Sequence, residues 1–235
     1  MTTTFEERAA ELLELSSAAA VCVACPLHES RTQVVFASGT VEADVMFVGE
    51  GPGQREDEQG LPFVGRSGQL LEQLLGEIGF TRNEVYIANV VKCRPPGNRD
   101  PRPDEVEACK GYLRRQIMLV DPRVVVTMGN FASKLLLRTE TGITRLRGHG
   151  VPWWGRHIVP TFHPAAALYT PAMLKTLEAD FARIPGLLDA PTSEYVGPAV
   201  EAPLEALHDE GSVPAGVGAT PQQTSSPPDE QLDLF

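Results

Sequence analysis

Four short apolar runs organise the chain, at residues 43–48, 84–88, 123–128 and 157–162. Each is rich in Val or Ile and has the length of a strand. Each also stops at a notable position: Gly49 and Glu50 after the first, Asn89 after the second, Gly129 after the third, His163 after the fourth. Helical periodicity fills the intervals, over about 66–79, 103–119, 130–138 and 164–182. An amphipathic helix is expected over 5–20, and Pro103 with Asp104 suits the start of the 103–119 helix. Strands alternating with helices predict an α/β domain of three layers, α/β/α. Its centre is a short, mostly parallel, four-stranded sheet covered on both faces. Ligands of such sheets bind at the carboxyl ends of the strands. Glu50, Asn89 and His163 all follow strand ends, so they form a candidate site on geometry alone.

The length of 235 residues suits one domain with an appendage, or two small domains. No run of about 18 apolar residues predicts a membrane span. The first twenty residues carry acids and lack a basic stretch before an apolar run, unlike a secretory leader. A cytoplasmic protein without a membrane partner is expected, and a monomer. The net charge of −11 speaks at first against a nucleic-acid partner. Its distribution changes that reading. Nine of the acids and none of the bases fall in residues 186–235, which leaves 22 acids against 20 bases in residues 1–185. The body is nearly neutral and the acidity belongs to the tail. Residues 1–185 are therefore expected to be the folded domain. Residues 186–230, dominated by Pro, Gly, Ala, Ser and Glu, are expected to be a disordered linker. Gln231, Leu232, Asp233, Leu234 and Phe235 break the pattern with three large apolar side chains, which need a partner.

The cysteines add chemistry. Cys22 and Cys25 form a CxxC pair, and Cys93 and Cys109 have fifteen residues between them. In a cytoplasmic setting a structural disulfide framework is not expected. Four thiolates suit zinc or an iron–sulfur cluster, and spacing alone does not separate the two. Between the distant cysteines, residues 92–103 hold four bases and four prolines, a stiff loop suited to phosphate contacts.

Three motifs in order carry a family resemblance. The run from Gly49 through Glu50, Gly51, Pro52, Gly53, Gln54, Arg55 and Glu56 to Asp57, with residues 61–68 after it (LPFVGRSG), is the first. The run from Asn89 to Pro96 (NVVKCRPP) is the second, and His163-Pro164-Ala165 is the third. Together with Cys22-x-x-Cys25-Pro26-Leu27 they resemble the family 4 uracil-DNA glycosylases, over about residues 5–183. The resemblance implies the uracil-DNA glycosylase fold and base-excision repair chemistry: a flipped-out deoxyuridine loses its base by hydrolysis of the N-glycosidic bond. It also implies a 4Fe–4S cluster on Cys22, Cys25, Cys93 and Cys109.

On that reading Phe63 stacks on the base, and Asn89 pairs with the uracil edge through both halves of its amide. His163 stabilises the leaving anion at O2. Glu50 serves the sugar side or orients water, with Asp57 as the alternative acid. Glu56 is expected beside uracil C5, where it would exclude a thymine methyl. Gly51, Pro52 and Gly53 bring backbone close to the substrate. Arg66 and Ser67 at a helix start, and Arg94, Asn98, Arg99 and Arg102 in the proline-rich loop, are expected to meet DNA phosphates. Residues 231–235 resemble the bacterial sliding-clamp binding pentapeptide, which implies a clamp partner and a bacterial source. Two rivals remain. One is a relative that traps uracil-DNA covalently through a His in an insertion after the central motif; residues 94–108 contain no His. The other is a non-catalytic, replication-associated DNA-binding scaffold.

Overall fold

In a computed structural model of the chain, residues 4–192 are described. The tail from residue 193, with the pentapeptide 231–235, lies outside the described residues. One six-stranded sheet runs through the body, in the order β1-β3-β2-β4-β6-β5. The strands are β1 (Ser38–Gly39), β2 (Val45–Gly49), β3 (Tyr86–Asn89), β4 (Val124–Met128), β5 (Val151–Trp153) and β6 (Arg156–Thr161). The four predicted strands are the parallel centre, β3-β2-β4-β6. The expected four-stranded sheet is corrected by two short antiparallel edges, β1 on β3 and β5 on β6. Neither edge carries an apolar run of strand length: β1 is two residues long, and β5 is three with Pro152 at its centre, which edge strands tolerate.

The helices are α1 (Phe5–Ala20), α2 (Gln54–Gln59), α3 (Arg66–Glu77), α4 (Pro103–Val120), α5 (Asn130–Leu137), α6 (Ile143–Leu146), α7 (Pro164–Tyr169), α8 (Pro171–Phe181) and α9 (Ile184–Leu188). A capping box between Thr4 and Glu7 starts α1. The single helix expected over 164–182 is two. Pro171 has no amide hydrogen to continue the ladder, and Thr170 before it is extended, so α7 ends and α8 begins there. The linker expected from residue 186 also starts too early. Pro185 sits in the first turn of α9, where proline is accepted, and Ile184 is buried with Leu187 and Leu188 against the core.

Strand β2 is buried at every position, and its side chains alternate between two cores. Met46 and Val48 face the layer of α1, α4 and α5, beside Leu113, Ile117 and Leu136. Val45 and Phe47 face the layer of α3, α8 and α9, beside Leu71, Leu75 and Phe181. Burial on both faces is why these strands read as continuous apolar runs rather than alternating ones. The pairing register then fixes the site. Gly49 pairs with Asn89, and Met128 pairs with Thr161, so the strand ends finish level. Among the described residues no helix is long and apolar enough to cross a membrane.

Candidate active site

A cleft of about 480 Å³ opens at the carboxyl edge of the sheet. Glu50, Asn89 and His163 line it together, from three different strand ends. Phe63, Glu56 and the backbone of Gly51 to Gly53 complete the inner wall.

Asn89 closes β3 and is 2% exposed. Its Oδ1 is buried and has no partner among the described residues. Leaving such an acceptor unsatisfied costs about 1–3 kcal/mol, so the position is built for an incoming donor. Its main-chain carbonyl accepts from Lys92 Nζ at 2.7 Å. Lys92 also donates to Gln116 Oε1 at 2.6 Å, and Gln116 Nε2 donates to Tyr86 Oη at 3.1 Å. Burial lowers the Lys92 ammonium to about 8. A buried network thus stands behind Asn89 and fixes the end of β3. Lys92 reads in the sequence as one of four loop bases suited to phosphates; its burial behind Asn89 corrects that, and Gln116, a glutamine within a helix, carried no signal of burial.

Phe63 has a positive φ of 53° and is buried. Two glycines make its placement possible. A Cβ on Gly49 would lie 2.4 Å from Asn89 Oδ1 and 2.8 Å from Phe63 Cζ. A Cβ on Gly68 would lie 1.8 Å from the Phe63 carbonyl oxygen. Arg82 holds the turn from outside, donating to the carbonyls of Phe63 and Pro62 and to Ser38 Oγ. Glu56 holds it from inside: its Oε1 accepts from the amides of Val64 and Gly65, each at 2.9 Å. The left-handed turn that presents Phe63 is therefore clamped on both sides, and the Arg82 contribution had no signature in the sequence.

His163 caps α7. Its Nδ1 accepts from the Ala165 amide at 3.1 Å. A neutral ring that accepts at Nδ1 carries its proton on Nε2, which is then a donor. Burial lowers the imidazole to about 4, against a smaller opposing pull from Glu56, so the ring is neutral at physiological pH. Its face stacks on Phe63 with centroids 5.5 Å apart and planes 27° apart, too close for a third ring between them.

Glu50 is half-buried at the end of β2. Burial raises its carboxyl to about 7, with a second contribution from the negative charge of Asp100. Asp57, the alternative acid, is not among the cleft residues. It is 3% exposed, and its Oδ1 accepts from the Thr32 amide at 2.9 Å, which ties α2 to the N-terminal segment. The geometry removes it from the site. The spacing could not have separated it from Glu56, because adjacent residues of a short helix point to different sides.

The expected DNA contacts divide. Ser67, Asn98 and Arg99 line the cleft, whereas Arg66, Arg94 and Arg102 stand outside its lining. Arg66 is exposed at the first position of α3. Arg94 Nε donates to Asn98 Oδ1 at 2.8 Å. Arg99 grips Glu105 with both terminal nitrogens, at 2.8 and 2.5 Å, and that hydrogen bonding holds the Glu105 carboxyl below the usual carboxylate range. The Arg102 amide donates to the same carboxylate at 2.8 Å. The charge of Arg99 is thus committed inside the protein, as a strut for the loop.

The four cysteines line one small cavity between α1 and α4, together with Arg31, Lys92 and Tyr112. Arg31 donates to Cys93 Sγ at 3.4 Å, and the Lys92 amide donates to Cys109 Sγ at 3.3 Å. Such donors favour sulfur as thiolate. Burial opposes them: it pushes the Cys25 and Cys93 thiols up, and Cys109 to about 11. Cys25, Cys93 and Cys109, whose ionisation burial opposes, would become thiolates most readily against a cation. Among the described residues no group of three or more His, Cys, Asp or Glu is arranged to hold a metal ion. The four cysteines nonetheless line one cavity together.

The profile of the uracil DNA glycosylase superfamily matches residues 36–184. The chain is 45% identical to a type-4 uracil-DNA glycosylase of Sulfurisphaera tokodaii, over 72% of this chain and 81% of that one. It is 47% identical to a type-4 uracil-DNA glycosylase of Thermotoga maritima, over 67% of this chain and 84% of the relative. A third type-4 enzyme, from Archaeoglobus fulgidus, is 44% identical over 69% and 86% of the two chains.

Proposed function

Because this chain belongs to the uracil-DNA glycosylase superfamily, and to its type-4 branch, we propose that it excises uracil from DNA by hydrolysing the N-glycosidic bond of deoxyuridine. The observation that carries the reading is the buried, unpartnered Oδ1 of Asn89 in a cleft that also holds a neutral, donating imidazole. The reactive bond is inaccessible within the stacked duplex, so the nucleotide must first leave it. Uracil then offers its N3–H to Asn89 Oδ1 and its O4 to the Asn89 amide. Cytosine presents the reverse pattern and would leave buried groups unpaired. Glu56, immobilised by the Val64 and Gly65 amides, is the wall we assign to exclude the thymine methyl.

As the C1′–N1 bond breaks, its electron pair leaves with uracil. The Nε2–H of His163 stabilises the anion at O2 without giving up its proton. A carboxyl near 7 is well poised as a base at physiological pH. Glu50 takes a proton from water as the water oxygen bonds to C1′, which leaves an abasic site. Without a His in residues 94–108, the chain lacks the nucleophile of the trapping relatives, and turnover is the expected outcome.

Cys22, Cys25, Cys93 and Cys109 would hold a 4Fe–4S cluster, whose role is to cross-link the N-terminal segment to the 93–109 loop and helix. Hydrolysis asks for no electron transfer. The C-terminal pentapeptide 231–235 would bind a bacterial sliding clamp, with residues 193–230 as tether.

The test is a uracil-containing oligonucleotide incubated with the full chain. Free uracil and an alkali-labile abasic site support the reading. A protein–DNA adduct resisting denaturation would favour trapping, and neither product would favour a binding scaffold.

A further inference from the structure

A second cavity of about 720 Å³ adjoins the cleft, under the start of α5. Three residues border both cavities: Glu50, His163 and Asp100. The first two are those the reaction needs. Asp100 comes from a distant stretch of chain, the loop between Cys93 and Cys109, and the loop holds it firmly. Its neighbour Arg99 is locked to Glu105 and also donates to the Asp100 carbonyl at 2.9 Å. Pro101 behind it is buried, and Glu105 itself is fully buried. The exposed Asp100 carboxylate is thus presented at the junction of the two cavities by a braced loop.

We propose that Asp100 is a positioning residue for the hydrolysis proposed above, acting on the attacking water through Glu50, with which it borders both cavities. The other charged or titratable groups around the two cavities are Glu56, His163, Arg99, Lys134, Arg138 and Glu140. Glu56 is bound to two amides, Arg99 to Glu105, and Lys134 to Glu140 at 3.0 Å. His163 is neutral in the working range. Asp100 is the charge that acts on Glu50, and a like charge raises the proton affinity of a carboxylate. The loop that the cysteines bracket would then contribute to the chemistry through one side chain, acting on Glu50.

The test is the pH profile of single-turnover uracil release by the intact, cluster-loaded protein. The wild-type rate should rise through pH of about 7. Asp100→Asn should shift that midpoint to lower pH, by roughly 0.5 unit, and lower the plateau about tenfold or less. Asp100→Glu, which keeps the charge, should restore the wild-type midpoint. Unchanged visible absorption and melting temperature would show that the loop is intact in both variants. An Asp100→Asn profile with an unmoved midpoint, whether its plateau is lowered or not, overturns the proposal. Should wild type release no uracil at all, the proposed activity itself fails, which is a distinct result.

Discussion

The cleft is built at the strand ends and the cysteine cavity between α1 and α4, and they are finished in opposite ways. The cleft is complete in the polypeptide alone. Gly49 and Gly68 leave room for Phe63, Arg82 and Glu56 clamp its turn, and Lys92 braces Asn89. The unmet demand noted there is the Oδ1 of Asn89, which substrate would satisfy. In the cysteine cavity burial opposes ionisation of Cys93 and Cys109, and on the proposed reading a bound cluster would complete it. Preorganisation by packing serves recognition, where small geometric errors are expensive. The proposed cluster would serve cohesion, fastening the N-terminal segment to a loop far away in sequence. Lys92 joins the two: its amide meets Cys109 and its ammonium meets Asn89.

The largest effect should come from emptying the cleft of its own chemistry. Asn89→Ala or His163→Ala should reduce uracil release by about 10²–10³-fold while visible absorption and melting temperature stay near wild type. Single-turnover assays check this, and wild-type rates in both variants would break the site assignment. Gly49→Ala should cost nearly as much through geometry alone, because its new methyl would collide with Asn89 and Phe63. Steady-state kinetics with a thermal melt would separate lost alignment from lost fold.

Next comes the cysteine cavity. Cys109→Ser should bleach the anaerobically purified protein, reduce iron from about four atoms per chain and lower the melting temperature. A colourless, zinc-containing wild type would instead refute the cluster. The bridge between the two regions should respond more mildly. Lys92→Met strands the Asn89 carbonyl and Gln116 Oε1, at about 1–3 kcal/mol in denaturant unfolding. Its uracil release should fall more than its stability alone accounts for. The smallest effect on catalysis should follow removal of residues 231–235: excision on short oligonucleotides unchanged, and binding to a bacterial sliding clamp lost in a pull-down or calorimetric titration.

Much of this was legible in the residues. The apolar runs at 43–48, 84–88, 123–128 and 157–162 had to be strands, because a parallel sheet buried on both faces needs continuous apolar character. Their ends named Glu50, Asn89 and His163. The edge strands were not legible: Ser38–Gly39 is only two residues long, and Val151–Trp153 is three residues interrupted by Pro152, although Trp153 is buried. Nor was the division of labour in the proline-rich loop. Arg99 reads as a free cation until Glu105, six residues later and one helical turn in, is seen to bind it. Asp57 reads as an acid of the site until α2 turns it toward Thr32.

By itself the sequence determined the order of strands and helices, the strand-end residues and the four sulfurs, because burial periodicity and residue chemistry are local properties. Tertiary structure alone decided which polar groups are already satisfied. That is a matter of what approaches from elsewhere in the chain: Lys92 and Gln116 behind Asn89, Ala165 on His163 Nδ1, Glu105 on Arg99. It also set the proton affinities of Glu50 and His163, because desolvation depends on how much protein surrounds a group rather than on its neighbours in sequence.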